Sequence, residues 1–325
     1  MQRRTFERFA WAFLAYLVAV ILFGAWVRIT HSGAGCGNHW PTCNGTVLPL
    51  DPSSETAIEF THRVTSGLCG VFGVLLVAAA WRVYGRGPVL AGSVLTLLFI
   101  VFEGLVGAGL VLGELVADDA SVARAIVIAI HLANTLLLTA SAAATAWCAG
   151  DRPAPVLRSL AASSFGPALL LVVIASMTGA VTALGDTLFP TESVLGPGLF
   201  DKVRGDLGGA NHFLVRLRAV HPLVAILTAG WLAKLTAPLA FSLNRGAQRT
   251  WARCAFTAVV AEVCLGLLNI ALAAPGWLQL AHLLVAQTLW VSLFLTGAAT
   301  QGGAPAAAIN HGLDEGVAGQ RAASA

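Results

Sequence analysis

AIVIAIHLANTLLLTASAAATAW, residues 125–147, decides the fold. The run exceeds the roughly 18 apolar residues that read as a membrane span. One ionisable side chain, His131, lies inside it. Working outward, Trp11–Ile29 is a second run of this kind. The whole chain follows suit: 325 residues, 57% hydrophobic, 11% charged, mean hydropathy +0.79. Soluble domains carry about 25% charged residues, so a water-soluble globule and a disordered chain are both excluded. A net charge of +3, scattered along the chain, excludes a nucleic-acid surface. Six cysteines do not make a disulfide scaffold in a bundle of this size.

The pattern predicts eight spans, at about 11–30, 58–82, 89–113, 122–147, 158–185, 213–236, 250–273 and 276–298. Each must be helical, because lipid offers no partner to a free backbone group. The fold class is therefore an all-α polytopic membrane protein. With the N-terminus inside, twelve Arg and Lys fall in inner segments and three in outer loops. Four more (Arg28, Arg63, Arg216 and Arg218) stand at outer span ends. That bias predicts a multi-pass protein of the cell membrane with both termini cytoplasmic. Arg3 and Arg4 before the first apolar run resemble a signal peptide, but no convincing cleavage site follows, and the span reads as retained. The Ala/Gly-rich tail over 301–325 reads as disordered.

Two copies of a four-helix unit are legible. His62 precedes Glu103 by 41 residues, and His221 precedes Glu262 by the same 41. Glu103-Gly-Leu-Val-Gly107 matches Glu262-Val-Cys-Leu-Gly266, and His131-Leu132 matches His282-Leu283. Four helices is an even number, so the copies run parallel. They divide the chain into residues 1–150 and 151–300.

His62, His131, His221 and His282 enter spans that run inward, at depths of roughly 7–14 Å at about 1.5 Å per residue. Each alone reads equally as a histidine hydrogen-bonded to a neighbouring helix. Four at matching positions read as axial ligands of haem, one pair per half. Neutral imidazole suits iron and copper, and no thiolate or carboxylate cluster selects zinc or calcium. Arg63, Arg216 and Arg218, near the outer ends of the same helices, are candidates to hold haem propionates by bidentate pairing; interfacial snorkelling is the plainer reading.

Glu59 stands three residues before His62 and shares its helix face. It either reaches the space beside the ligand of His62 or merely favours the helix dipole. The corresponding stretch of the second copy is Arg218-Ala-Val-His221, so the second carboxylate a di-iron bundle needs is missing. Glu103 and Glu262 lie mid-span and read equally as structural or functional. Cys36 and Cys43 lie in an outer loop, where a disulfide is expected, as a staple or a redox-active bridge. Cys69, Cys148, Cys254 and Cys264 read as free.

These residues together resemble the haem A synthase family. The resemblance rests on Gly24-Ala-Trp-Val-Arg-Ile-Thr30, on Cys36, Trp40-Pro41 and Cys43-Asn-Gly45, and on Glu59-Phe-Thr-His62-Arg63, with His131 and His282 beyond. It covers nearly all of residues 10–298. It implies oxidation of a ring methyl of haem O to a formyl group, giving haem A for terminal oxidases, by successive hydroxylations and loss of water. It implies a substrate haem held by His62 and His131, a haem B cofactor held by His221 and His282, and catalysis by Glu59. It implies a haem O synthase and an electron acceptor as partners; the oligomeric state stays open. His212 is a rival to His221, which the 41-residue spacing favours, and Pro222 beside it is expected to kink the sixth span. A cytochrome b-like electron carrier shares the paired histidines but leaves Glu59 and the loop cysteines unexplained. A parallel-repeat transporter exporting haem is the other alternative.

Overall fold

A computed structural model describes residues 1–190, 204–209, 211–243 and 246–301. The tail expected to be disordered, over 302–325, and Lys202, Arg245 and Arg321 lie outside the described residues. The described chain is helical, with one isolated bridge between Cys43 and Thr46. Its long helices are α1 (Arg3–Ile29), α2 (Ser54–Tyr84), α3 (Pro88–Leu112) and α4 (Val122–Ala149), then α6 (Phe165–Leu188), α8 (Val220–Ala240), α9 (Ala247–Ala271) and α10 (Gly276–Gln301). Two short helices, α5 (Leu157–Ala162) and α7 (Phe213–Leu217), precede α6 and α8. Counting α7 and α8 as one, eight helices among the described residues are long and apolar enough to cross a membrane.

Two expected spans are interrupted, for local reasons. The fifth breaks at Ser163-Ser164: the Ser163 hydroxyl accepts the Phe165 N–H at 3.2 Å, and Pro167 sits in the first turn of α6, where a missing N–H costs nothing. The sixth breaks between Leu217 and Val220. Pro222 therefore falls in the first turn of α8, among donors that have no intrahelical partner, rather than kinking a continuous helix.

In the first half of the chain α1 packs on α2 and α4, and α3 on α2 and α4. In the second half α8 packs on α6 and α9, and α10 on α9 and α6. The rings meet through α4, which touches α6 and α10, and through α1 on α10. Helices α4 and α10 are the central pair. Half of the most apolar window of each is buried, against a third or less in the other spanning helices. Small residues (Ala140, Ala142, Ala143 and Ala146) let the neighbours of α4 approach closely. Trp290 Nε1 donates to the Leu136 carbonyl at 2.7 Å and ties the pair together.

One end of the molecule is closed by pairings of Arg3 with Asp151 and of Val156 with Gln301. The other end carries the cysteine loop. There Arg28 reaches from α1 to the Thr187 hydroxyl of α6 at 2.7 Å and to Gln279 of α10 at 3.0 Å. The dense core of α4 and α10 begins about one turn beyond His131 and His282. The histidines thus stand where close packing gives way, on the loop side.

Candidate functional site

In each half a glycine of the first helix faces a histidine of the second. A Cβ on Gly24 would stand 3.0 Å from Cε1 of His62, and one on Gly179 would stand 2.9 Å from Cε1 of His221. No ordinary side chain fits at either position unless the imidazole moves. The Phe23 ring meets His62 edge-on at 5.7 Å between centroids. The Thr178 hydroxyl lies 3.2 Å from His221 Nδ1. Gly179 and Thr178 escaped the sequence reading. The repeated Gly-Ala step was available as a signal, but it precedes the histidine by 38 residues in one half and 42 in the other, so the constant spacing passes over it.

The fourth and eighth spans supply the partner histidines. His131 lies within charge–charge range of His62, and His221 of His282. Each partner histidine meets a carboxylate from the preceding helix. His131 Nδ1 is 3.5 Å from Glu103 Oε1, and His282 Nδ1 is 3.1 Å from Glu262 Oε2. The four histidines predicted from spacing are therefore two neighbouring pairs. His212 is elsewhere: exposed, stacked on Phe189, its Nδ1 accepting the Leu214 N–H at 3.3 Å as the cap of α7.

Glu59 is 3% exposed. Its Oε2 accepts the Cys36 N–H at 2.8 Å, and its Oε1 accepts from Arg63 Nε at 3.0 Å and also from Arg63 Nη2. Arg63 Nη1 donates to the His39 and Thr42 carbonyls at 2.6 and 2.7 Å. All three nitrogens of this guanidinium are thus committed to Glu59 and the loop, which leaves no free fork for a propionate. The loop is closed by the Cys36–Cys43 disulfide. It is braced by Asn44 N–H on the Cys36 carbonyl at 3.0 Å and by the Thr56 hydroxyl on the Gly35 carbonyl at 2.6 Å. The other four cysteines are free thiols.

Arg218 is 6% exposed. Its Nη2 donates to the Gly185 carbonyl at 2.5 Å and to the Phe189 carbonyl, and its Nε is 2.9 Å from Asp186. Its Nη1 is buried without a hydrogen-bond partner among the described residues. Arg216 is exposed at the same end. Of the three arginines expected near propionates, Arg218 keeps a buried, uncommitted donor.

The donor set fits haem. A bis-histidine haem needs two imidazoles and no further donor, and each half brings two within interaction range of each other. Nδ1 of His62, His131 and His282 are buried without hydrogen-bond partners among the described residues. Among those residues no group of three or more His, Cys, Asp or Glu could hold a metal ion.

Residues 7–294 match the COX15-CtaA family, described as Cytochrome oxidase assembly protein. A Thermus thermophilus protein named protoheme IX farnesyltransferase is 44% identical over 319 residues, 94% of this chain and 50% of that protein. The chain thus spans about half the length of this relative. A Halalkalibacterium halodurans protein named heme A synthase is 45% identical over 96 residues, 29% of this chain and 32% of that protein. One from Bacillus mycoides with the same name is 39% identical over 127 residues, 38% of each chain.

Proposed function

The chain belongs to the COX15-CtaA family of cytochrome oxidase assembly proteins, and on that premise we propose that it is a haem A synthase. It is a multi-pass membrane protein. The reaction is oxidation of a ring methyl of haem O to a formyl group, through hydroxylation and loss of water. The observation that carries this reading is the shared Gly–His–Glu–His framework of the two halves, with a buried carboxylate one turn from the first histidine in only one of them.

In this reading His62 and His131 hold the iron of the substrate haem, and residues 1–150 form the substrate half. His221 and His282 hold a haem B cofactor in residues 151–300. Bound there, haem B supplies one-electron chemistry. Arg218 Nη1, buried without a partner among the described residues and three residues before His221, is the donor that meets a propionate in this reading, with Arg216 nearby at the surface. Glu59, one turn from His62, is the catalytic residue: it takes up a proton from attacking water or stabilises positive charge developing at the oxidised carbon. Arg63 and the Cys36 amide hold that carboxylate in place, because an acceptor-only group that donates nothing is oriented by the donors around it. Burial beneath the loop limits water to what the site admits.

The excess of Arg and Lys at the closed end supports cytoplasmic termini in the cell membrane, with the cysteine loop outside. The Thermus relative, twice as long and named for protoheme farnesylation, supports a haem O synthase as the partner that delivers substrate. An electron acceptor completes the set.

The test is a reduced pyridine haemochrome spectrum of the purified protein and its Glu59→Ala variant. Haem A or O beside haem B is expected, with Glu59→Ala keeping haem B and forming no haem A. Haem B alone in the unaltered protein supports an electron carrier instead. A protein without haem supports a transporter. Haem A made by Glu59→Ala overturns the role of Glu59.

A further inference from the structure

Two carboxylates in the membrane interior are not used by this mechanism. Glu103 on α3 and Glu262 on α9 occupy equivalent places, each against Nδ1 of the partner histidine of its half. Their surroundings differ. The side chain of Glu103 accepts the Thr135 hydroxyl at Oε1 and the Asn134 amide at Oε2, both donors from α4. His131 Nδ1 stands off at 3.5 Å. The residues of α10 that correspond to Asn134 and Thr135 are Val285 and Ala286, which have no side-chain donor. Glu262 comes closer to its histidine, with Oε2 at 3.1 Å from His282 Nδ1. Neither that Nδ1 nor Glu262 Oε1 makes a hydrogen bond among the described residues, so the two groups stand within reach of each other, each without another partner there.

A histidine that ligates a metal through one ring nitrogen donates the proton on the other, commonly to a carboxylate. That bond fixes tautomer and ring orientation and makes the imidazole a stronger donor to the metal. A carboxylate oxygen shared among several donors gives less to each. A buried carboxylate with one donor gives that donor nearly all its acceptor strength, since leaving it unpaired is costly.

We propose that Glu262 is the positioning residue of His282. Once haem is bound, a small turn of the ring would let Glu262 accept the Nδ1 proton and hold Nε2 toward the iron, whereas Glu103, engaged by Asn134 and Thr135, would hold His131 more weakly. The inference rests on the haem reading above. It separates the halves by tenure. A cofactor must stay through many turnovers, and a substrate haem must enter and leave. The stronger acceptor belongs to the cofactor half.

The experiment uses the full chain in detergent, carrying His131→Ala so that only the His221–His282 pair is complete, and loaded with haem B. Haem affinity, the low-spin absorption spectrum and the midpoint potential are compared with those of added Glu262→Gln, Glu262→Leu and Glu103→Gln. Glu262→Gln keeps an acceptor but loses the negative charge. It is expected to keep low-spin haem while the potential moves upward. Glu262→Leu is expected to weaken haem binding by about tenfold or more and to lose low-spin character. Glu103→Gln is expected to change none of these. An unmoved potential in Glu262→Gln overturns the proposal whether or not Glu262→Leu folds. An equal upward shift in Glu103→Gln overturns it too. A His131→Ala protein that binds no haem, when the unaltered chain also binds none, overturns the haem reading beneath it.

Discussion

Residues 59 and 218 hold the same place in the two halves, each three residues before the first histidine of its half, and they carry opposite charge. Glu59 turns to the loop and accepts from Cys36 and Arg63. Arg218 turns to the end of α6, where it meets Asp186 and the Gly185 and Phe189 carbonyls. The framework around them is shared: glycine against the first histidine, carboxylate against the second. What differs is the group presented one turn toward the loop end. A guanidinium there can grip a propionate and can do no acid–base work near neutral pH. A carboxylate there can accept a proton. On the proposed reading, one repeated scaffold becomes a holder in one half and a reactive site in the other by a change at a single chain position and the loop that meets it.

The largest effects that break this comparison are at the histidines. His221→Ala is expected to lose haem B and all haem A formation together, and His62→Ala to lose haem A formation while haem B stays bound. Haem extracted from each purified variant, separated and quantified, decides it; parallel loss of haem B in both would make the halves equivalent.

Next comes Arg63→Ala. It leaves Glu59 buried without its cation, a change that costs about 3–5 kcal/mol. The thermal unfolding temperature in detergent is expected to fall for this variant. Arg63→Lys is expected to recover only part of the loss, because a single ammonium cannot span Glu59 and two carbonyls as the planar fork does.

Opening the disulfide with Cys36→Ser and Cys43→Ser is smaller. A bridge between residues seven apart removes about 2.5 kcal/mol of chain entropy from the unfolded state. Hydrogen exchange is expected to rise over residues 30–60 and to stay unchanged around His221 and His282. Faster exchange in both halves would show that the loop supports the whole bundle.

Smallest are Gly24→Ala and Gly179→Ala. Each sets a methyl inside contact distance of an imidazole edge, so the ring must shift, at a cost of about 1 kcal/mol or more. Gly24→Ala is expected to disturb only the substrate half, and Gly179→Ala only the bound haem B spectrum. A Soret shift in the second variant, absent in the first, sharpens the assignment of the two haems.

Much of this was legible in the chain. The eight spans follow from length and apolarity, since lipid leaves the backbone no alternative to the helix. Cys36 and Cys43 pair as expected. The 41-residue spacing points to His221, which lies near His282, over His212, which caps α7. The interruptions before Phe165 and Val220 are not legible in the hydropathy, although Pro167 and Pro222 lie just inside them. A hydropathy window averages over such a break, and only the capping geometry reveals it. The partners of Arg63 are illegible in the chain for another reason. Its position at a span end is a one-dimensional fact, and its partners His39 and Thr42 come from a loop more than twenty residues away.

Composition and periodicity by themselves determined that this chain is a helical bundle for a membrane and that two histidines stand in each half, because burial in lipid and the 1.5 Å rise act on every residue alike. Tertiary structure alone decided which neighbour each polar group answers to. Residues three apart share a helix face, yet that rule is silent on what lies opposite. Glu59 faces the cysteine loop, Glu262 faces His282, and Arg218 faces the end of α6 because separate helices and one loop bring those partners there.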